Sequence, residues 1–164
     1  MSKKSIVAIG VFDGVHQGHR HIFGQVVKRA REINKISVAY TFDPHPAKIL
    51  VPSSCPLMIN TLPQRVRLIQ KTGIQKVVVQ KFTKSFAKET PEKFFKEVIV
   101  KSLNACEVFV GYNFTYSVAD DEETNNGYDN NPKIFGRKII FEHIHIVYTM
   151  HDKIRLMCGL KKMQ

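Results

Sequence analysis

Apolar residues along this chain switch between two periodicities. Ile6-Val7-Ala8-Ile9, Ser37 to Phe42, Val77 to Phe82 and Val108 to Gly111 are short apolar runs, the pattern of strands buried on both faces. Between them the spacing becomes helical. His19 to Ile33 places Ile22, Phe23, Val26, Val27, Ala30 and Ile33 on one stripe. Thr61 is positioned to cap a helix through Thr72, with Pro63 in its first turn and Gly73 as its stop. Thr90-Pro91 opens another helix, carrying Phe94, Phe95, Val98 and Ile99 to about Leu103. The Pro- and Ser-rich stretch from Asp43 to Asn60 is expected to be loop, with part of it ordered. Ile139 to Tyr148 resumes a strand-like pattern, and the residues from there to Gln164 fit no single pattern. Strands alternating with helices predict an α/β fold, a mostly parallel sheet with helices on both faces. Ligands of such sheets bind at the carboxyl ends of the strands, so Gly10–His19 and Gly111–Tyr116 are expected to share one site.

The decade Gly10-Val11-Phe12-Asp13-Gly14-Val15-His16-Gln17-Gly18-His19 carries the most chemistry. It follows a strand, contains three glycines, and sets two imidazoles where a helix begins. Unpaired N–H groups and the helix dipole make such a helix start a place for phosphate.

Composition narrows the picture. A chain of 164 residues with 43% hydrophobic content suits one soluble domain with its own core. No apolar run is long enough to span a bilayer, and Met1-Ser2-Lys3-Lys4 leads straight into a strand with no signal-peptide pattern. Cys55, Cys106 and Cys158 are odd in number and far apart, as expected of free thiols in a cytoplasmic protein. The formal charge is +11 and uneven: residues 1–105 hold 18 of the 25 Lys/Arg but only six of the 14 Asp/Glu. A basic body suits anionic partners, although scattered lysines are also what a plain solvated surface shows. Asp120-Asp121-Glu122-Glu123 starts an acidic, Asn-rich stretch that reads as a loop. His21 reads as a surface residue. His143 and His145 alternate on a strand without a third ligand at metal spacing, so no metal site is expected there.

Three segments together resemble the FMN adenylyltransferase module of the bacterial bifunctional riboflavin kinase/FAD synthetases, from Ile6 to about Tyr116. GVFDGVHQGH is similar to that family's form of the H-x-G-H nucleotidyltransferase motif. Thr41-Phe42-Asp43-Pro44-His45-Pro46 resembles its signature after the second strand, and Gly111-Tyr112-Asn113-Phe114-Thr115-Tyr116 its G-x-[DN]-F-x-[FY] segment. The resemblance implies a Rossmann-like nucleotidyltransferase fold that transfers AMP from ATP to FMN, giving FAD and pyrophosphate, with Mg²⁺ carried on the phosphates. It places ATP against Gly10, Phe12, Asp13, Gly14, His16, Gly18 and His19. It places the flavin against Phe42, Asp43, Pro44, His45, Asn113, Phe114 and Tyr116. His16, His19 and Asn113 would carry the chemistry. The implied partners are these small molecules, with no nucleic acid and no membrane.

The chain departs from the family towards its end. The family's S-S-[ST]-x-I-R string is missing, and either Arg155 or Lys162 stands where its arginine would fall. No riboflavin kinase module follows, so a single adenylyltransferase-like domain over residues 1–164 is expected. The competing readings are a degenerate fragment that binds nucleotide or flavin without turnover, a cytidylyltransferase, and a nucleic-acid binder suggested by charge alone.

Overall fold

The computed structural model describes residues 3–111, 145–150 and 153–156. Its sheet holds six strands: β1 (Ser5–Ile9), β2 (Ile36–Asp43), β3 (Lys76–Lys81), β4 (Ala105–Gly111), β5 (His145–Met150) and β6 (Lys153–Leu156). Their spatial order is β3-β2-β1-β4-β5-β6. All neighbours are parallel except the β5–β6 pair, which is antiparallel. This is a doubly wound α/β sheet, and the order reverses direction between β1 and β4.

Each β1 residue is buried because the strand is central and covered on both sides. Ile6 and Ala8 face α1 (Gln17–Glu32), whose Ile22, Phe23, Val26 and Ala30 form the stripe read from the sequence. Ile69 of α3 (Leu62–Lys71) joins that layer. Val7 and Ile9 face the opposite layer with Val38, Tyr40 and Phe42 of β2. Phe86 of α4 (Lys84–Ala87) and Phe94, Phe95 and Ile99 cover them. Arg29 of α1 locks its layer to β4 through Glu107, its Nε lying 2.9 Å from both carboxylate oxygens.

The departures from expectation have local causes. α1 begins at Gln17, two residues before the expected start at His19, because His16 caps it. Residues 46–50 form α2 (Pro46–Leu50) within the expected loop, capped by the His45 side chain. The four-residue α4 has too few turns to show a period; Thr83 caps it, its Oγ1 accepting from Phe86 N at 3.1 Å. The helix expected after Thr90 is α5 (Pro91–Lys93), continuing as a π-helical stretch Phe94–Ser102. Leu103 N there reaches back five residues to Val98 O at 2.9 Å. β4 begins at Ala105, and β5 runs on to Met150. β6 lies in the stretch for which the sequence offered no pattern. The expected acidic loop, His143 and Cys158 lie outside the described residues.

Candidate active site

Gly10 continues the β1 ladder by donating to Tyr40 O at 3.1 Å, and then the chain leaves the sheet. The loop beyond it is strained. Phe12, Gly14 and Val15 have φ of 57°, 68° and 41°, a left-handed region that side chains, and β-branched ones above all, avoid. Only Gly14 is comfortable there, and a Cβ on it would also stand 3.1 Å from Ile59 Cδ1. Buried contacts hold the other two residues. Phe12 is 3% exposed and packs on Phe23 at 4.6 Å and edge-on against His19 at 5.3 Å between centroids. Gly10 leaves room for this ring, since a Cβ there would meet it at 2.9 Å.

The two histidines meet at the start of α1. His16 is the N-cap, and its Nδ1 accepts from His19 N at 3.4 Å, a long bond. With Nδ1 an acceptor, the proton of a neutral ring sits on Nε2, free to donate outward. The His16 and His19 rings stack at 3.6 Å. Gly18 permits this, because a Cβ there would press on the His16 ring at 3.2 Å. Burial and the neighbouring His16 push the His19 imidazole down from 6.5 to about 4, so it is neutral at pH 7. Its Nδ1 is buried and has no hydrogen-bond partner among the described residues, and the Asp13 charge and backbone favour the charged ring less than burial and His16 oppose it. Gln17 and Gly18, whose first-turn N–H groups have no intrahelical acceptor, are exposed.

The Asp13 carboxylate binds backbone. Its oxygens accept from Ile59 N at 2.7 Å and Asn60 N at 3.0 Å. Burial raises its proton affinity, but these N–H groups, Gly14 and the Arg65 charge together outweigh burial and hold the carboxyl below its ordinary value.

The turn after β2 stands beside this loop. Thr41 Oγ1 donates to Val11 O at 2.8 Å and joins the two. Phe42 is 5% exposed, its ring set in the core against Phe82 and Phe86, so towards the turn it offers its carbonyl. The Asp43–Pro44 peptide bond is cis. His45 accepts from Ala47 N at 3.0 Å through Nδ1, which leaves Nε2 as the outward donor. Burial first, then the Arg65 cation, lower its pKa.

Arg65 escapes a reading of the sequence, along with the roles of Thr41 and the Ile59–Asn60 backbone. It is 1% exposed on α3, and its Nη2 donates to Phe42 O at 2.8 Å. The sequence signal is its position four residues before buried Ile69, on the apolar face of α3.

The structure therefore brings together Gly10, Phe12, Asp13, Gly14 and His16 of the loop with Gly18 and His19 of the first turn of α1, and Asp43, Pro44 and His45 stand beside them. Gly111 follows Val110, which pairs with Ile9, so the end of β4 reaches the same edge. Asn113, Phe114, Tyr116 and Lys162 lie outside the described residues. Arg155 lies on β6 opposite Tyr148, which pairs with Val110. It is level with Ile9 but three strands away, about 14 Å at the usual strand spacing.

A doubly wound sheet with a glycine-bearing turn, stacked imidazoles and exposed first-turn N–H groups at its switch point defines an α/β protein whose site is suited to an anionic ligand. Comparison with known proteins narrows the class. A family profile described as FAD synthetase matches residues 1–152, and the chain belongs to that family. The bifunctional riboflavin kinase/FMN adenylyltransferase of Buchnera aphidicola subsp. Schizaphis graminum is 28% identical over 157 residues, covering 95% of this chain and 49% of that protein. The Bacillus subtilis (strain 168) protein of the same description is 34% identical over 114 residues, covering 69% of this chain and 36% of that one. The chain thus spans half or less of the length of these relatives. A crystal structure described as a macrolide-efflux protein from Streptococcus pneumoniae superposes with a TM-score of 0.63 at 30% identity, over 71% of this chain and 45% of that chain. Among the described residues, no helix is long and apolar enough to cross a membrane.

Proposed function

We propose that this chain is an FMN adenylyltransferase: it transfers AMP from ATP to the phosphate of FMN, forming FAD and releasing pyrophosphate. The observation that carries the reading is the His16–His19 pair stacked over the start of α1 beside the His45 turn, in a member of the FAD synthetase family. An FMN phosphate oxygen attacks the α-phosphorus of ATP, and the bond from that phosphorus to the bridging oxygen of pyrophosphate breaks. The attacking oxygen is already anionic, so no general base is needed. The protein's task is to align the two phosphates and neutralise the charge that spreads over the five-coordinate α-phosphorus. Nε2 of His16, neutral His19 and the N–H groups of Gln17 and Gly18 are the donors for it. Gly10, Phe12, Asp13 and Gly14 shape the loop that presents them, Asp13 by bracing residues 59–60.

The flavin belongs on the side of Asp43, Pro44 and His45, with Phe42 backing that wall from the core. Asn113, Phe114 and Tyr116 carry the family's remaining contacts, and Arg155 or Lys162 is the cation assigned to the phosphates. No group of three His, Cys, Asp or Glu residues fit to hold a metal is found among the described residues. Mg²⁺ held by phosphate oxygens and water needs none. When bound, it lowers the charge on the departing pyrophosphate.

Purified protein incubated with FMN, ATP and Mg²⁺ is expected to give FAD on chromatography, and CTP in place of ATP is expected to give none. Binding of FMN or ATP without FAD above the blank would replace this reading with that of a fragment that holds ligands without turnover. The lost hydroxyl string at the carboxyl end is the feature that favours that alternative.

A further inference from the structure

We propose that Arg65 is a positioning residue that fixes the acceptor half of the site to the ATP half through α3; this deepens the adenylyltransferase reading and rests on it. The connection can be followed atom by atom. Asp13, in the loop after β1, holds Ile59 N and Asn60 N. Thr61 follows immediately and caps α3, its backbone N–H held by Gln64 Oε1 at 3.0 Å and its carbonyl accepting from Arg65 N at 2.9 Å. Arg65 Nη2 then grips Phe42 O at 2.8 Å and stands 3.7 Å from Asp43 Oδ1, two residues before His45. The spacing between the His16–His19 pair and His45 is therefore set through the first turn of α3, tied to the loop after β1 by Asp13 and to the β2 turn by Arg65.

An arginine is a poor choice for this position if stability is all it supplies. The side chain is 1% exposed, and Nε and Nη1 are buried with no hydrogen-bond partner among the described residues. Leaving such donors unpaired is costly, and replacing a buried ion by a well-packed apolar side chain is often neutral or stabilising. Neither carboxylate needs the cation to remain solvated or paired. Asp43 is 49% exposed, and Asp13 is satisfied by backbone N–H groups. What an apolar side chain lacks is the donor to Phe42 O, the bond that aims the β2 turn. A guanidinium has a fixed planar fork, so it holds that carbonyl in one direction.

The test compares Arg65→Met and Arg65→Lys with the wild type by thermal melting, by FAD-forming kinetics and by NMR of the histidine rings in ligand-free protein. Arg65→Met is expected to melt at or above the wild-type temperature, while kcat/KM for FMN falls about 10- to 100-fold and KM for ATP stays within about twofold. Arg65→Lys is expected to recover part of the loss. The His45 ring, which feels the charges of Arg65 and Asp13, is expected to titrate higher in Arg65→Met than in the wild type. If the wild type makes no FAD, the proposed function fails, and melting and the His45 titration still decide the role of Arg65. A strongly destabilised Arg65→Met would overturn the proposal in favour of a structural role. So would an unchanged His45 titration, or FAD synthesis within twofold of wild type.

Discussion

Replacing Asp13 by alanine removes two hydrogen bonds that tie the loop after β1 to residues 59–60, at 2.7 and 3.0 Å. A bond to a charged acceptor contributes about 1.5–3 kcal/mol when well shielded. Asp13 is half-buried and Ile59 is exposed, so the freed N–H groups can turn to water. Each bond is then valued near the low end or below, and Asp13→Ala should lose roughly 2 kcal/mol. In a chain of this length that corresponds to a fall in melting temperature of about 4–8 °C. Asp13→Asn keeps one good acceptor and should fall about halfway. The same free energy should appear locally, as amide exchange at Ile59 and Asn60 faster by tenfold or more while amides in the middle of α1 are unchanged. The pH dependence has a definite sign. A carboxyl held below its ordinary value contributes stability that is fully present above the unfolded value of 3.8 and is lost as pH falls through the folded value. The difference between wild type and Asp13→Ala should therefore be constant from pH 7 to 5 and shrink in stronger acid. Equal melting temperatures and equal exchange at Ile59 and Asn60 would refute the brace.

Two further predictions concern the histidine pair. His19 is expected to titrate near 4 when its ring resonances are followed by NMR; an ordinary value near 6.5 would contradict its burial under His16. Below 6.5 the unfolded chain takes a proton that the folded ring refuses, so this contribution to stability is intact above 6.5 and falls as pH drops toward 4. The ceiling is about 3 kcal/mol, reduced to about 1–2 because the ring is partly solvated. Gly18→Ala should leave the fold as stable or up to about 1 kcal/mol more stable, since alanine favours helix. It should still lower turnover, because the added Cβ displaces the His16 ring; a fully active variant would refute the stacking role.

Strands β1 to β4, the long helix and the glycine-bearing loop after β1 are legible because each is written in local spacing. The apolar runs of β1 and β2, the stripe of α1 and the Thr61–Gly73 helix need only neighbouring residues to specify them. What escapes depends on contacts between distant positions. Asp13 reads as a loop acid until residues 59–60, more than forty positions away, are brought beneath it. The role of Arg65 shows only once β2 lies against α3 and brings Phe42 O within its reach. Gly18 reads in the sequence as part of the H-x-G-H segment, and the room its missing Cβ leaves for the His16 ring shows only in the fold. The π-helical stretch escapes because an i→i−5 bond leaves no separate mark in a short apolar pattern. Phe42 reads from its motif as a flavin contact, and its ring sits in the core, as its place on a central buried strand requires.

The central claim is that the imidazoles at the start of α1 serve the phosphates and not the fold. His19→Ala measured for both FAD formation and thermal stability tests it most directly. Turnover is expected to fall by about 100-fold or more, with a melting temperature within a few degrees of wild type. FAD formed at close to the wild-type rate, or a loss of activity matched by loss of the fold, would contradict it.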